Sequence, residues 1–209
     1  MRIYLDHAAT TPLAGHAREA MEPWLAADVA ANPASVHRAG QRARAAVEGA
    51  RERLAAALGA APAEIVFTSG ATEADALAVH GTLDALPSDA ALIVSSAEHA
   101  AVLQAAAHEE RRGRPVIRLA PGAAGAPSPE ALETALASLP GPAGLVAIMH
   151  TNNETGALAD VAALAGVARR HGAAFLCDAV QGFGYAELDV RALDVDLSLI
   201  HISEPTRPY

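Results

Sequence analysis

Four short polar runs in this chain each follow an apolar run, and their side chains can hold anions, cations and flat rings. Ser69-Gly70-Ala71-Thr72-Glu73 follows residues 65–68, and Ser96-Ala97-Glu98-His99 follows residues 91–95. His150-Thr151-Asn152-Asn153-Glu154-Thr155-Gly156 follows residues 145–149, and Asp178-Ala179-Val180-Gln181 follows residues 173–177. In the first run a glycine precedes a helix start. Free backbone N–H groups and the positive end of a helix dipole then face one point, with the Thr72 hydroxyl beside them, which makes an anion site. The plain alternative is a helix cap made by Ser69 or Thr72. Asp178 ends a very apolar run, so its carboxylate must be paired or hydrogen-bonded. It can meet a protonated ring nitrogen of a cofactor or cap the next turn. His99 can act as a base, stack on a flat ring, or serve structure alone. Asn153 and Gln181 can orient a ligand oxygen or satisfy loop backbone. Cys177 lies inside the apolar pattern and reads as a small buried hydrophobe, not a nucleophile.

These runs need a frame that brings them to one place. Between regular Pro and Gly breaks the chain alternates short apolar runs with longer runs of helical period. The pattern predicts a strand at 3–5, a helix from about Leu13 that Pro23 kinks or ends, and a helix over 35–58 stopped by Gly59. Strands follow at 65–68, 91–95, 116–119, 145–149 and 173–177. Helices are expected over 71–83, 100–112, 129–139 and 161–171, and the Gly/Ala/Pro-rich 120–127 reads as an exposed loop. The strands are continuously apolar, as in a parallel sheet covered on both faces. The expected fold is α/β: a mainly parallel sheet with helices on both faces. In such sheets ligands sit beyond the carboxyl ends of the strands, where all four polar runs fall.

The 209 residues are 52% hydrophobic and only 3% aromatic, enough for a real core in one domain or slightly more. A formal net charge of −9 without a basic stripe argues against nucleic acid and against an anionic membrane surface. No apolar run approaches the roughly 18–20 residues a bilayer requires. The start, Met1-Arg2-Ile3-Tyr4-Leu5-Asp6, does not read as a signal peptide. One cysteine excludes an internal disulfide, and the expected location is the cytoplasm.

Six ordered segments carry a resemblance. Tyr4-Leu5-Asp6-His7-Ala8-Ala9-Thr10-Thr11-Pro12, Asn32-Pro33-Ala34-Ser35-Val36-His37, Phe67-Thr68-Ser69-Gly70-Ala71-Thr72-Glu73, Ala97-Glu98-His99, the 150–156 run and Asp178-Ala179-Val180-Gln181 resemble the class V aminotransferase group, the cysteine desulfurases in particular. The resemblance implies the large domain of a fold-type-I pyridoxal-5'-phosphate transferase, usually a homodimer. It implies that Ala71 and Thr72 hold the phosphate and that His99 stacks on the ring and shuttles a proton. Asn153 and Gln181 would contact the phenolic oxygen, and Asp178 would pair with the pyridinium nitrogen. The implied activity converts L-cysteine to L-alanine, with sulfur passed to an enzyme cysteine and on to an acceptor protein, as in iron–sulfur cluster assembly. Selenocysteine lyase, another class V activity, or a non-catalytic α/β fragment are the alternatives.

Two departures stand out. Ala76 occupies a place where the family usually has asparagine, which weakens one polar contact near the cofactor. After residue 200 the family continues to a histidine and the Schiff-base lysine, whereas here His201-Ile202-Ser203-Glu204 follow. The expectation is that 1–200 form an N-terminal segment and most of the cofactor-binding large domain. Residues 201–209 read as a non-family tail, from a broken gene or a sequence-assembly junction. The C-terminal small domain is expected to be absent, and the truncated chain inactive.

Overall fold

A computed structural model describes residues 3–26 and 31–200. The described residues fall into two compact units, one ending at Val66 and one beginning at Phe67. The proposed tail, 201–209 with Glu204, lies outside the described residues.

In the first unit, helix α1 (Gly15–Leu25) contains Pro23 and ends two residues beyond it. The proline sits in the last turn, so it removes one hydrogen bond where the helix stops anyway. Helix α2 (Arg38–Leu58) starts three residues later than its period suggests. The His37 side chain takes the cap position and Nδ1 accepts from the Gly40 N–H at 3.3 Å. The preceding turn is tied by Asn32, whose Oδ1 accepts from the Ala34 N–H at 2.8 Å. A Cβ at residue 40 would lie 2.3 Å from the Ser35 carbonyl oxygen, so the turn can sit on the helix only over a glycine. At the other end Gly59 adopts φ 67° and its N–H caps the Ala55 carbonyl, as its position predicts. A 3-10 turn (Pro62–Glu64) follows.

Two expected strands do not form. Residues 3–5 carry no ladder. The Tyr4 hydroxyl donates to the Asp6 carbonyl at 2.8 Å, the chain turns over 7–9, and Leu5 is 86% exposed. Residues 65–68 join no strand ladder among the described residues either, with Val66 and Phe67 exposed. An apolar run becomes a strand only when another strand accepts its backbone groups, and no described strand lies beside either run.

The second unit is a five-stranded, wholly parallel sheet. Its strands are β1 (Ala91–Ser95), β2 (Val116–Leu119), β3 (Ala143–Met149), β4 (Ala174–Asp178) and β5 (Leu197–Leu199), in the order β2-β1-β3-β4-β5. Its helices are α3 (Ala71–Asp84), α4 (Ala100–Arg111), α5 (Pro129–Ala137) and α6 (Val161–Arg170). Helices α3 and α4 pack together on one face, and α5 and α6 pack together against the sheet separately from them. The first core layer joins Val79, Leu83, Val102 and Ala106 to Leu92, Val94, Leu145, Ala147, Leu176 and Leu199. Side chains alternate along a strand, so Ile93, Val146, Ile148, Phe175 and Cys177 face the other way, and all are buried. Both faces are covered, which is why these strands read as unbroken apolar runs. Strand β5 was not anticipated because three residues are too few to show a pattern.

Candidate functional site

Parallel strands bring their carboxyl ends to one rim. Three of the four polar runs follow β1, β3 and β4 directly, and the fourth opens α3, which packs across β3, β4 and β5. Met149 is the register partner of Asp178, and the His150 N–H donates to the Asp178 carbonyl at 2.8 Å. These contacts fix the rim's centre at the ends of β3 and β4.

Asp178 is the last residue of β4 and is buried. Its Oδ1 accepts the Val180 N–H at 3.0 Å. Burial raises its pKa, opposed by that N–H and by nearby His99. His99 caps α4, its Nδ1 accepting the Ala101 N–H at 3.2 Å, and the ring is exposed. Thus Nδ1 of His99 is engaged as a helix cap, and the residue lies near enough to Asp178 to lower its pKa. Ala71 and Thr72 form the first turn of α3, where Thr72 is exposed. Two donors of that loop are already taken, since Glu73 Oε2 accepts both the Ser69 N–H and the Ser69 hydroxyl. This bond holds the Glu73 carboxyl below its ordinary pKa. Asn153 and Gln181 are half-buried in the loops after β3 and β4.

Cys177 is fully buried on the opposite face, and burial, with Asp178 and Glu98, pushes its thiol up to about 12. A thiol so placed is not a nucleophile.

Three residues of the site were missed by sequence reasoning. Asn152, next to the expected Asn153, is the polar hub of the rim. Its Nδ2 donates to the Ala97 carbonyl at 2.9 Å, and its Oδ1 accepts from the N–H groups of Glu154 and Thr155 at 3.0 and 2.9 Å. It clamps the loop after β3 to the loop after β1. Glu98 reaches back under the rim, where Oε1 accepts the Met149 N–H at 2.9 Å and Oε2 is buried without a partner. Asp75 is 1% exposed, and neither of its carboxyl oxygens has a partner. Burial and then Asp178 raise its pKa to about 7. Burial raises Glu98 well above the carboxylate range, against the Met149 N–H, with Asp178 and Asp75 adding to the rise. A signal for Asp75 existed: it stands four and eight residues before Val79 and Leu83, on the stripe of α3 that enters the core.

Close packing requires glycine at residue 182 on the rim. A Cβ at residue 182 would lie 2.6 Å from His150 Nδ1, so the imidazole packs directly on the backbone after β4. Burial lowers the His150 pKa, leaving the ring neutral at pH 7. No described helix is long and apolar enough to cross a membrane, and no metal-binding cluster occurs among the described residues.

The aminotransferase class-V family model matches residues 3–201. The cysteine desulfurase IscS of Anaeromyxobacter sp. (strain K) is 40% identical over 199 residues, covering 95% of this chain and 48% of that protein. The cysteine desulfurase IscS of Pseudomonas entomophila (strain L48) is 42% identical over 198 residues, covering 93% and 48%. Among solved structures, SspA in complex with cysteine superimposes with a TM-score of 0.88 at 37% identity, covering 95% of this chain and 56% of that one. The NifS-like protein from Rickettsia africae gives a TM-score of 0.85 at 30% identity, covering 95% and 53%. The chain spans about half the length of the curated relatives it matches. With a family match over nearly its whole length, on the fold and rim described above, this chain belongs to the class-V aminotransferases.

Proposed function

We propose that this chain is the pyridoxal-phosphate-binding part of a cysteine desulfurase. One observation carries the reading: a buried carboxylate, Asp178, ends β4, beside the central strand, on the same rim as the first turn of α3 and His99. The donor set fits the cofactor. Asp178 keeps acceptor capacity beyond its bond to Val180 and suits a pyridinium N–H. The α3 first turn offers the N–H groups of Ala71 and Thr72 to a phosphate, after Ser69 has been claimed by Glu73. His99 would cover the ring, and the amides of Asn153 and Gln181, in the loops after β3 and β4, would meet the phenolic oxygen. When bound, the cofactor supplies an electron sink. The residues of this chain supply the rest: Asp178 holds a proton on the ring nitrogen, His99 covers the ring and can move a proton, and Asn152 keeps the two flanking loops in register.

L-cysteine as substrate, an acceptor protein for the sulfur, a homodimeric whole protein, iron–sulfur assembly as the process served and a cytoplasmic setting belong to the same proposal. The cysteine substrate is supported by relatives that bear the name cysteine desulfurase and by the structure titled as a complex with cysteine; the others rest on the family resemblance. Those names favour the desulfurase over selenocysteine lyase. The domain limits are proposed likewise, with the cofactor-binding part ending near residue 200. The 209 residues contain no lysine, their 15 basic residues all being arginine. No side chain of this chain can form an imine, so we propose reversible cofactor binding and no turnover by this chain alone.

The test is an absorbance and fluorescence titration of the chain with pyridoxal phosphate, followed by borohydride reduction and peptide mass spectrometry. Saturable binding that weakens at least about tenfold in Asp178→Ala is expected, with no adduct on any side chain. Absence of saturable binding would overturn the cofactor reading. Alanine or sulfide released from cysteine above a protein-free control would overturn the inactivity.

A further inference from the structure

Asp75 is a buried carboxyl group that the proposed function does not use. Its place follows from two periodicities. On α3, residues 75, 79 and 83 are spaced by four and share one stripe, and Val79 and Leu83 belong to the core layer beneath α3 and α4. On β4, Leu176 belongs to that same layer, so Asp178, two residues on, points to the same face. On β3, Leu145 and Ala147 belong to it, so Met149, two residues on, points to the same face, and Glu98 is bonded to the Met149 N–H at 2.9 Å. Met149 and Asp178 are register partners, about 4.8 Å apart as neighbouring strands are. One face at one end of the sheet therefore gathers three carboxyl groups, from α3, from the loop after β1 and from β4.

We propose that Asp75, Glu98 and Asp178 form one proton-sharing carboxyl cluster, in which Asp75 and Glu98 carry the protons and the negative charge is left on Asp178. Asp75 and Glu98 are then positioning residues for whatever cation Asp178 receives. The pyridoxal-phosphate reading enters only in naming that cation as a pyridinium.

Three ionised carboxylates cannot share so small a dry space, because like charges there raise one another's proton affinity. The hydrogen bonds decide which group stays ionised. Asp178 has the Val180 N–H at 3.0 Å and His99 nearby. Glu98 has one N–H for two oxygens, and Asp75 has none. Both are more than nine-tenths buried. Burial raises both Asp75 and Glu98, and the charge of Asp178 adds to each rise. The other titratable groups around the cluster are His99, before α4, and Cys177, on the far face of β4. Glu73 on α3 is exposed and engaged with Ser69. Among the described residues no ion pair reaches Asp75, Glu98 or Asp178.

The test is infrared spectroscopy of the whole chain between pH 5 and 9, in the region where protonated carboxyl groups absorb apart from carboxylates. Two buried acid bands are expected at pH 6. Asp75→Asn removes the one that titrates near neutrality, and Glu98→Gln removes the one that persists. In Asp178→Asn the Asp75 band titrates at least about half a pH unit lower, since its charged neighbour is gone; a merely structural aspartate would not respond. The wild-type chain can be read without substitution by carboxyl-carbon NMR, which covers the case of a variant that fails to fold. Absence of any acid band above pH 6, an Asp75 midpoint unmoved in Asp178→Asn, or three ordinary, independent carboxylate titrations would each overturn the proposal. Cofactor takes no part in this experiment, so its outcome is separate from that of the binding titration.

Discussion

At the scale of single residues, the rim is held by an asparagine whose neighbour is the one expected to touch ligand. Asn152 is buried, and its amide spends both ends on backbone, one on the Ala97 carbonyl and the other on the turn at Glu154 and Thr155. Removing it leaves a carbonyl and two N–H groups to find other partners in a partly buried setting. Asn152→Ala is therefore expected to cost about 2–3 kcal/mol, measured by urea unfolding. Asn152→Asp should keep the acceptor bonds to the turn and lose the bond to Ala97, giving an intermediate loss. Equal stability of Asn152→Ala and wild type would show that the clamp carries no energy. In sequence, nothing separates Asn152 from Asn153. Period two through an irregular loop does not hold, so which amide turns inward is decided by backbone geometry that the residue types do not encode.

At the scale of elements, the end of the sheet opposite the rim is fastened by a buried ion network. Glu109 on α4 is 1% exposed and accepts from His80 at 2.6 Å, Arg112 at 3.0 Å and Arg114 at 3.3 Å. Arg114 also donates to the carbonyls of Leu83, Pro87 and Ala90, each at 2.8 Å, closing the end of α3 and the turn that leads into β1. Burial pushes the Glu109 carboxyl up, but the bonds from His80, Arg112 and Arg114 outweigh it and hold its pKa below the ordinary value. Arg114→Met removes the donor to four acceptors and leaves Glu109 less paired, so a loss of about 3 kcal/mol is expected in urea unfolding. A loss under about 0.5 kcal/mol would mean that the surrounding carbonyls find water instead.

The elements themselves were legible wherever burial is two-sided. Strands β1, β3 and β4 and helices α3 to α6 fall within a few residues of their sequence positions, because continuous apolar runs alternate with amphipathic ones. The runs at 3–5 and 65–68 have the same local composition and are not strands, since pairing is not a local property. The rim was legible as a location, with Thr72, His99, Asn153, Asp178 and Gln181 each read from the segment after or opening an element. The carboxyl cluster was not, because Asp75 stands inside a helix and its meaning depends on which face of α3 meets the sheet.

At the scale of the whole molecule, the pH dependence of stability should show opposite contributions from the two ends of the sheet. Glu109 is depressed when folded, so its contribution is present at neutral pH and fades as acid protonates it. Asp75 behaves in reverse. Its pKa rises from 3.8 in the unfolded chain to about 7 in the folded one. Between those values the folded state binds more protons than the unfolded state, so the Asp75 contribution makes stability fall as pH rises through this window. Below the window the carboxyl is neutral in both states and contributes no slope. Above it, folding must keep a buried charge beside Asp178. Asp75→Asn replaces the carboxyl with an amide of the same shape that never ionises. Any cost of burying that amide is the same at every pH, so it shifts the whole curve without tilting it. The stability of Asp75→Asn relative to wild type should therefore climb between pH 4 and pH 8, by about 2 kcal/mol, roughly half of what a shift of this size would carry for an isolated group. Urea denaturation of both chains at pH 4, 6 and 8 measures it. A difference that stays flat across the three pH values would mean that Asp75 finds solvent or a cation when folded, and the carboxyl cluster would then hold one proton fewer than its geometry requires.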